Sequence, residues 1–203
     1  MSVVIGITGG VGCGKSTVLE ILQNEYGAAI IEADKIGHLV MEPGGLAYNR
    51  IIKIFGNGIL EDNNLAKESA RKIDRKKLGE VAFNDKTMLT KLNGIIHPAV
   101  KDYIENFISL EKSKNTKYIV VEAALLIEAG YRDICDIFWY IYANREVRAE
   151  RLIKSRGYSI DKINSIINNQ LTEEEFIKNT DIVIYNNGDY ENLYNEISSK
   201  LPN

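Results

Sequence analysis

The stretch Gly9-Gly10-Val11-Gly12-Cys13-Gly14-Lys15-Ser16-Thr17 fits the pattern G-x-x-x-x-G-K-[ST], whose residue types are set by anion chemistry. Glycines at 9, 10, 12 and 14 let backbone N–H groups close around phosphate oxygens without interference from Cβ. A helix that follows such a loop adds unpaired N–H groups and the positive end of its dipole. Lys15 can then reach β- and γ-phosphates, and the Ser16 hydroxyl is placed to coordinate Mg²⁺. The flanks supply the required setting. Val3 to Thr8 is apolar and β-branched, as a strand buried on both faces should be, and Val18, Leu19, Ile21 and Leu22 recur at helical spacing. The candidate residues for a nucleoside triphosphate are therefore Gly12, Cys13, Gly14, Lys15, Ser16 and Thr17, with Ser16 also the candidate metal ligand. Cys13, beside a helix N-terminus and near Lys15, is in surroundings that favour thiolate, so bound ATP is expected to shield it from alkylation. A small residue with its sulfur turned away is the alternative.

A second chemical group stands at the end of the next strand. Ala28 to Glu32 reads as extended and ends at Ala33-Asp34. Parallel α/β sheets gather functional groups at the carboxyl ends of their strands, so Asp34 is expected on the same edge as the glycine-rich loop. A carboxylate near a triphosphate is electrostatically costly. Its placement suggests that it accepts or orients an acceptor hydroxyl, or reaches Mg²⁺ through water.

The elements that must position these groups can be read along the chain. Tyr118 to Glu122, Ile137 to Tyr142 and Asp181 to Tyr185 complete a set of five strands. From Lys35 to about Ser113 the pattern is helical, far more than the dozen residues a crossover needs, so most of it is an inserted helical subdomain. Asp74 suits a helix cap ahead of Leu78, Val81, Ala82 and Phe83. A long apolar stripe from Leu89 to Ile108 is interrupted by Pro98, which predicts a kink or break near Ile96-His97. Between strands four and five, Arg145, Arg148, Arg151 and Arg156 sit on a helical excursion that reads as a lid meeting phosphates, or as an exposed salt-bridged helix pair. Thr172 to Glu175 reads as a capping box. Trp139 and Tyr140 are expected in the core.

Composition bounds the rest. The chain has 203 residues, 45% hydrophobic and 26% charged, with a formal charge of −3 and a pI near 5.6. That balance argues against nucleic acid as the main ligand. One basic stretch, Lys67 to Lys77, is either a solvated helix face or a site for an anionic small molecule. No run approaches the roughly 18 apolar residues of a membrane span. The first strand begins at once without a basic leader, and two cysteines make no disulfide framework, so a cytoplasmic setting is expected. A guanine-reading Asn-Lys-x-Asp is absent, and Asp34-Lys35-Ile36-Gly37, which matches D-x-x-G, comes too soon after Lys15 for the usual Mg²⁺-binding strand, so a nucleotide-dependent regulatory switch is kept only as the non-enzyme alternative. Small-molecule kinases remain.

Here the chain resembles a known family, the dephospho-coenzyme A kinases, over nearly its whole length. The likeness lies in Gly6 to Thr17, Glu32-Ala33-Asp34, Pro43-Gly44, Phe55-Gly56 and Asp74-Arg75 with Leu78. It continues in Leu92-Asn93-Gly94-Ile95-Ile96-His97-Pro98, Leu125 to Glu128, Gln170, and Asp181 to Ile184 followed by Asn186 and Gly188. Departures are Glu32 for the usual first Asp, Glu122-Ala123-Ala124 for Asp-x-Pro, and Ser155 and Ile166 where lid arginines are expected. The resemblance implies ATP-dependent phosphorylation of the ribose 3′-hydroxyl of dephospho-coenzyme A, with Mg²⁺. It implies an α/β P-loop kinase-like, three-layer fold with a five-stranded parallel sheet in the order 2-3-1-4-5. A nucleotide core (about 1–34, 114–145 and 180–203), a helical acceptor insertion (about 35–113) and a lid (about 146–179) would make one domain. Asp34, Lys15 and Arg148 would be catalytic. Asp34, Arg75, His97 and Leu125 would meet the acceptor, although His97 could equally pack before Pro98. Adenine would pack at Asn186 to Gly188. Neither nucleic acid nor a membrane is expected as partner, and the chain is expected as a monomer or weak homo-oligomer. A nucleoside monophosphate kinase is the runner-up.

Overall fold

Strand β1 (Val3–Thr8) is buried from Val4 onward, and Gly6 lets it lie close to a neighbour: a Cβ there would come within 2.8 Å of the Phe138 ring. The structure, a computed structural model, describes residues 1–62 and 71–202. After β2 (Ala29–Glu32), strands β3 (Tyr118–Glu122) and β4 (Ile137–Tyr142) pair in parallel with β1 on its two sides. With β5 (Ile182–Tyr185) beyond β4, the sheet order is β2-β3-β1-β4-β5, as expected. All strands run the same way, so Thr8, Glu32, Glu122, Tyr142 and Tyr185 end along one edge.

The chain divides into two compact units. The first joins Met1–Glu32 to Phe107–Asn203 and contains the sheet. Its helix α1 (Lys15–Tyr26) buries Val18, Leu19, Ile21 and Leu22 in a core shared with Ile5, Ile7, Trp139 and Ile141. Gly27, at φ 64°, closes α1 by donating to Gln23 O while Ala28 donates to Leu22 O. In the second unit, Ala33–Asn106, α2 (Ala33–Leu39) and α3 (Tyr48–Phe55) are followed by α4 (Arg75–Phe83), which Asp74 caps through Lys76 N and Lys77 N. Val81 and Phe83, grouped with the apolar positions in sequence, are exposed. Lys67, in the basic stretch, lies outside the described residues.

Helix α5 (Lys86–Ser113) runs unbroken through Pro98, so the break expected there does not occur. Pro98 and Gly94 both lie on the exposed side, while Leu92, Ile95, Ala99, Val100 and Ile104 are buried. The carbonyl that loses its hydrogen bond, that of Gly94, therefore faces water, which softens the cost of the proline.

In the first unit α6 (Arg145–Arg156), α7 (Ile160–Asn168) and α8 (Glu173–Asn179) follow β4. The capping box forms, with Thr172 and Glu175 satisfying each other's backbone N–H. Phe176 stacks on Tyr140 with centroids 4.6 Å apart, which pins α8 to β4. The last helix, α9 (Tyr190–Lys200), buries Leu193 and Ile197 in the sheet core.

Two further sequence expectations change. Strand β2 stops at Glu32 and α2 begins at once, so Asp34 sits in the first turn of a helix, where a carboxylate suits the dipole, and not on a strand. Cys13 is 1% exposed and belongs to the sheet core. Burial pushes its thiol up, outweighing Lys15, so the expected thiolate is not favoured.

Labelling of native protein at neutral pH should accordingly be slow at Cys13 with or without Mg·ATP, and complete only in denaturant. Cys135, buried and pushed up to about 12, should behave alike. Fast native alkylation of Cys13 would contradict its burial. A second expectation concerns Asp181, whose two carboxylate oxygens accept from both Arg132 terminal nitrogens while one also accepts Phe138 N–H at 2.7 Å. Those Arg132 bonds hold its carboxyl below the usual range, so the native state binds fewer protons than the unfolded chain. The stabilisation is full above the unfolded value of about 3.9 and fades as pH falls through the lower native one. Asp181→Asn should lower Tm at pH 7, and the gap to the parent should close toward pH 3; a gap independent of pH would rule the charge pair out.

Candidate active site

The glycine-rich loop turns between β1 and α1 with Gly12 at φ 79° and Gly14 at φ 90°, left-handed values that glycine adopts without strain. Space matters as much as angle. A Cβ on Gly14 would lie 2.2 Å from Asn186 Nδ2, and one on Gly10 would lie 2.4 Å from Arg148 Nη2. Five of the loop carbonyls have donors from the loop, α1, α6 and the residue after β5. Gly9 O accepts Lys15 Nζ (2.8 Å), Gly10 O accepts Cys13 N (3.2 Å), and Val11 O accepts Arg148 Nε (2.8 Å). Cys13 O accepts Asn186 Nδ2 (2.8 Å) and Arg151 Nη1 (3.3 Å), and Gly14 O accepts Thr17 N and Val18 N. Helix α1 has no side-chain cap and no acid in its first turn, so no carboxylate of its own competes for the N-terminus.

Lys15 Nζ also lies 3.7 Å from Glu122 Oε1, and both side chains are largely buried. Glu122 ends β3 in register with Ile7, beside the loop. Sequence reading passed over it as a mere departure from a family pattern. The rule that singled out Asp34, a carboxylate at a strand's carboxyl end, would have found it. Ser16 is exposed in the first turn of α1, next to Lys15.

Two arginines of α6 reach the loop. Arg148 Nη2 donates to Gln170 Oε1 at 2.7 Å, and Arg151 Nη2 donates to Asn186 Oδ1 at 3.3 Å. Ser155 bonds back to Arg151 O, and Arg156 stands over the Tyr158 ring. Asn186, read from sequence as a place for adenine, is 4% exposed and its side chain props the loop. Gly188 precedes α9 with Asn192 against it, and Leu125 is exposed in the turn after β3. Thus Gly12 to Thr17, Arg148 and Asn186 come together in the first unit.

The second unit gathers a different set. Asp34 and His38 lie one turn apart on α2, and Arg75, at the head of α4, contacts the His38 ring, with Nη1 3.0 Å from Nε2. A guanidinium can only donate, so the ring offers it a lone pair. His38, unremarked in sequence, joins Asp74, Arg75 and Lys72 in lining a polar cavity of about 410 Å³. Glu42 borders that cavity and also an apolar one of about 340 Å³ lined by Leu39, Pro43, Leu46 and Tyr103. Lys72 and Lys77 are paired with Glu42 and Asp62. His97 is exposed on α5 and away from the cavity lining.

Comparison with known proteins identifies the family. The family model described as dephospho-CoA kinase matches residues 3–192. A dephospho-CoA kinase of Carboxydothermus hydrogenoformans is 38% identical over 198 residues, covering 98% of this chain and 92% of that protein. The solved dephospho-CoA kinase of Campylobacter jejuni superposes with a TM-score of 0.68 at 29% identity, covering 98% of this chain and 95% of the other. A Thermus thermophilus structure reaches a TM-score of 0.78 at 24% identity over 98% and 95%, a likeness of fold. The chain belongs to the dephospho-CoA kinase family.

Proposed function

We propose that this protein transfers the γ-phosphoryl group of ATP to the ribose 3′-hydroxyl of dephospho-coenzyme A, giving coenzyme A and ADP. The observation that carries the reading is family membership across almost the whole chain together with an intact phosphate loop in which the carbonyls of Gly9, Gly10, Val11, Cys13 and Gly14 already have donors. The N–H groups of the loop that its own carbonyls do not take up bind the β-phosphate, and Lys15 exchanges Gly9 O for β- and γ-oxygens. Arg148 and Arg151 face the charge that spreads over the transferred group. Asn186 supports the loop while Gly188 lies near the base.

Mg²⁺ fits the donors present. The Ser16 hydroxyl and the Glu122 carboxylate are hard oxygen ligands, and among the described residues no group of three His, Cys, Asp or Glu could cage an ion alone. That suits an ion that takes most of its ligands from phosphates and water. When bound, it supplies charge neutralisation at the β- and γ-phosphates.

Asp34 accepts or orients the acceptor hydroxyl. The adjoining polar and apolar cavities of the second unit suit an acceptor with a charged diphosphate and a long, weakly polar arm; Arg75 and His38 meet its anionic part. A monophosphate nucleoside acceptor would leave the apolar cavity bounded by Leu39, Leu46 and Tyr103 without an occupant. Leu125 and His97 are weaker contacts on this reading, both being exposed.

Release of ADP with ATP and, in turn, dephospho-coenzyme A, AMP, CMP and shikimate should be seen with the first alone; turnover of AMP or CMP in its absence would overturn the acceptor assignment. Asp34→Asn keeps the shape and should lower kcat by about 10²–10⁴-fold, the usual worth of a positioned acid–base group. Melting temperature and ATP affinity should hold. A lowered Tm with near-normal turnover of the folded fraction would remove Asp34 from catalysis.

A further inference from the structure

The oxygen of the Gln170 side chain is shared. It accepts Val11 N–H at 3.1 Å and Arg148 Nη2 at 2.7 Å, and since both partners can only donate, the atom must be the amide oxygen. Arg148 Nε in turn donates to Val11 O at 2.8 Å. The Val11 residue at the crest of the loop is thereby clipped at its carbonyl by Arg148 and at its N–H by Gln170, which also holds the guanidinium. The guanidinium lies flat against Gly10, where no side chain intervenes. Both acceptors that hold Arg148, a carbonyl and an amide, are neutral.

We propose that Gln170 is a positioning residue for nucleotide binding: it aims Arg148 at the phosphates through a neutral acceptor, so the guanidinium meets the nucleotide with its charge uncompensated. This rests on the reading that ATP lies on the Gly9 to Thr17 loop. A carboxylate at position 170 would accept the same two N–H groups. It would also form a charge-assisted pair with Arg148, roughly twice as strong as a neutral bond, and hold the arginine from the phosphates. The contrast with Arg132, whose charge is matched by Asp181 far from the loop, is one of purpose. There the pair closes a strand end; here the charge is kept for a ligand. Two of the five guanidinium donors orient the group, and the others remain for phosphate oxygens.

The test is Mg·ATP affinity by titration calorimetry on the full chain with no acceptor present. Gln170→Ala should weaken binding by about five- to tenfold, the net worth of one ordinary hydrogen bond. In an Arg148→Ala background the same change should alter affinity less than about twofold, because its effect passes through Arg148. Gln170→Glu should keep the parent melting temperature yet bind Mg·ATP more weakly than Gln170→Ala does. Losses that multiply in the double variant, or parent-like affinity in Gln170→Glu, would overturn the proposal. With no acceptor in the cell, a wrong acceptor assignment leaves these readouts untouched. Absence of any Mg·ATP binding by the parent would instead sink the nucleotide reading on which the proposal stands.

Discussion

A peptide chain can bind an anion only where its carbonyl oxygens point elsewhere, and the architecture around β1 is arranged to satisfy that condition. Each carbonyl from Gly9 to Val11, and those of Cys13 and Gly14, has a donor assigned to it before any ligand arrives. The donors come from four places: Lys15 and α1, the loop itself, α6, and the residue after β5. Fixing the dipoles in advance spares the cost of turning them when charge appears. It also explains the glycines. Asn186 and Arg148 press so closely on Gly14 and Gly10 that a methyl group would displace them.

The charged side chains near the loop are placed with equal economy. Glu122 is nearly buried, which would be expensive for a lone carboxylate, but Lys15 stands beside it. Lys15 is held by that acid and by Gly9 O, two partners that a polyphosphate and its counter-ion can replace together. Arg151 is shared between Cys13 O and Asn186, so it supports the loop as well as charging it. In the second unit, Arg75 rests on a histidine ring in place of a carboxylate, again leaving a cation without a fixed counter-charge among its hydrogen bonds.

Much of this was legible in the sequence because it depends on short-range spacing. The alternation of buried strands and amphipathic helices marked the five strands, their order came from the family resemblance, and G-x-x-x-x-G-K-S located the loop; the caps at Asp74 and Thr172 formed as their patterns predict. Failures arose where distant neighbours decide. The charge around Cys13 pointed to a thiolate, but core burial outweighs one lysine. Pro98 suggested a kink or break, and no break occurs; the freed carbonyl lies on the wet face, which only the packing of α5 reveals. Asp34 moved from strand to helix because no loop separates β2 from α2. The contact of Arg148 with Val11 spans 137 residues and that of Gln170 spans 159, beyond any local pattern.

The position of β1 has a consequence for how the chain is made. It is made before every other strand of its sheet, yet both its partners lie more than a hundred residues downstream, in β3 and β4. At synthesis rates of about 5–20 residues per second, roughly 7–27 s pass between Thr8 and Tyr142. Through that interval an apolar, β-branched segment with every backbone hydrogen bond unmade must wait without its sheet. The nascent chain is therefore most exposed to wrong pairing while β1 waits, and completion of β4 ends that exposure.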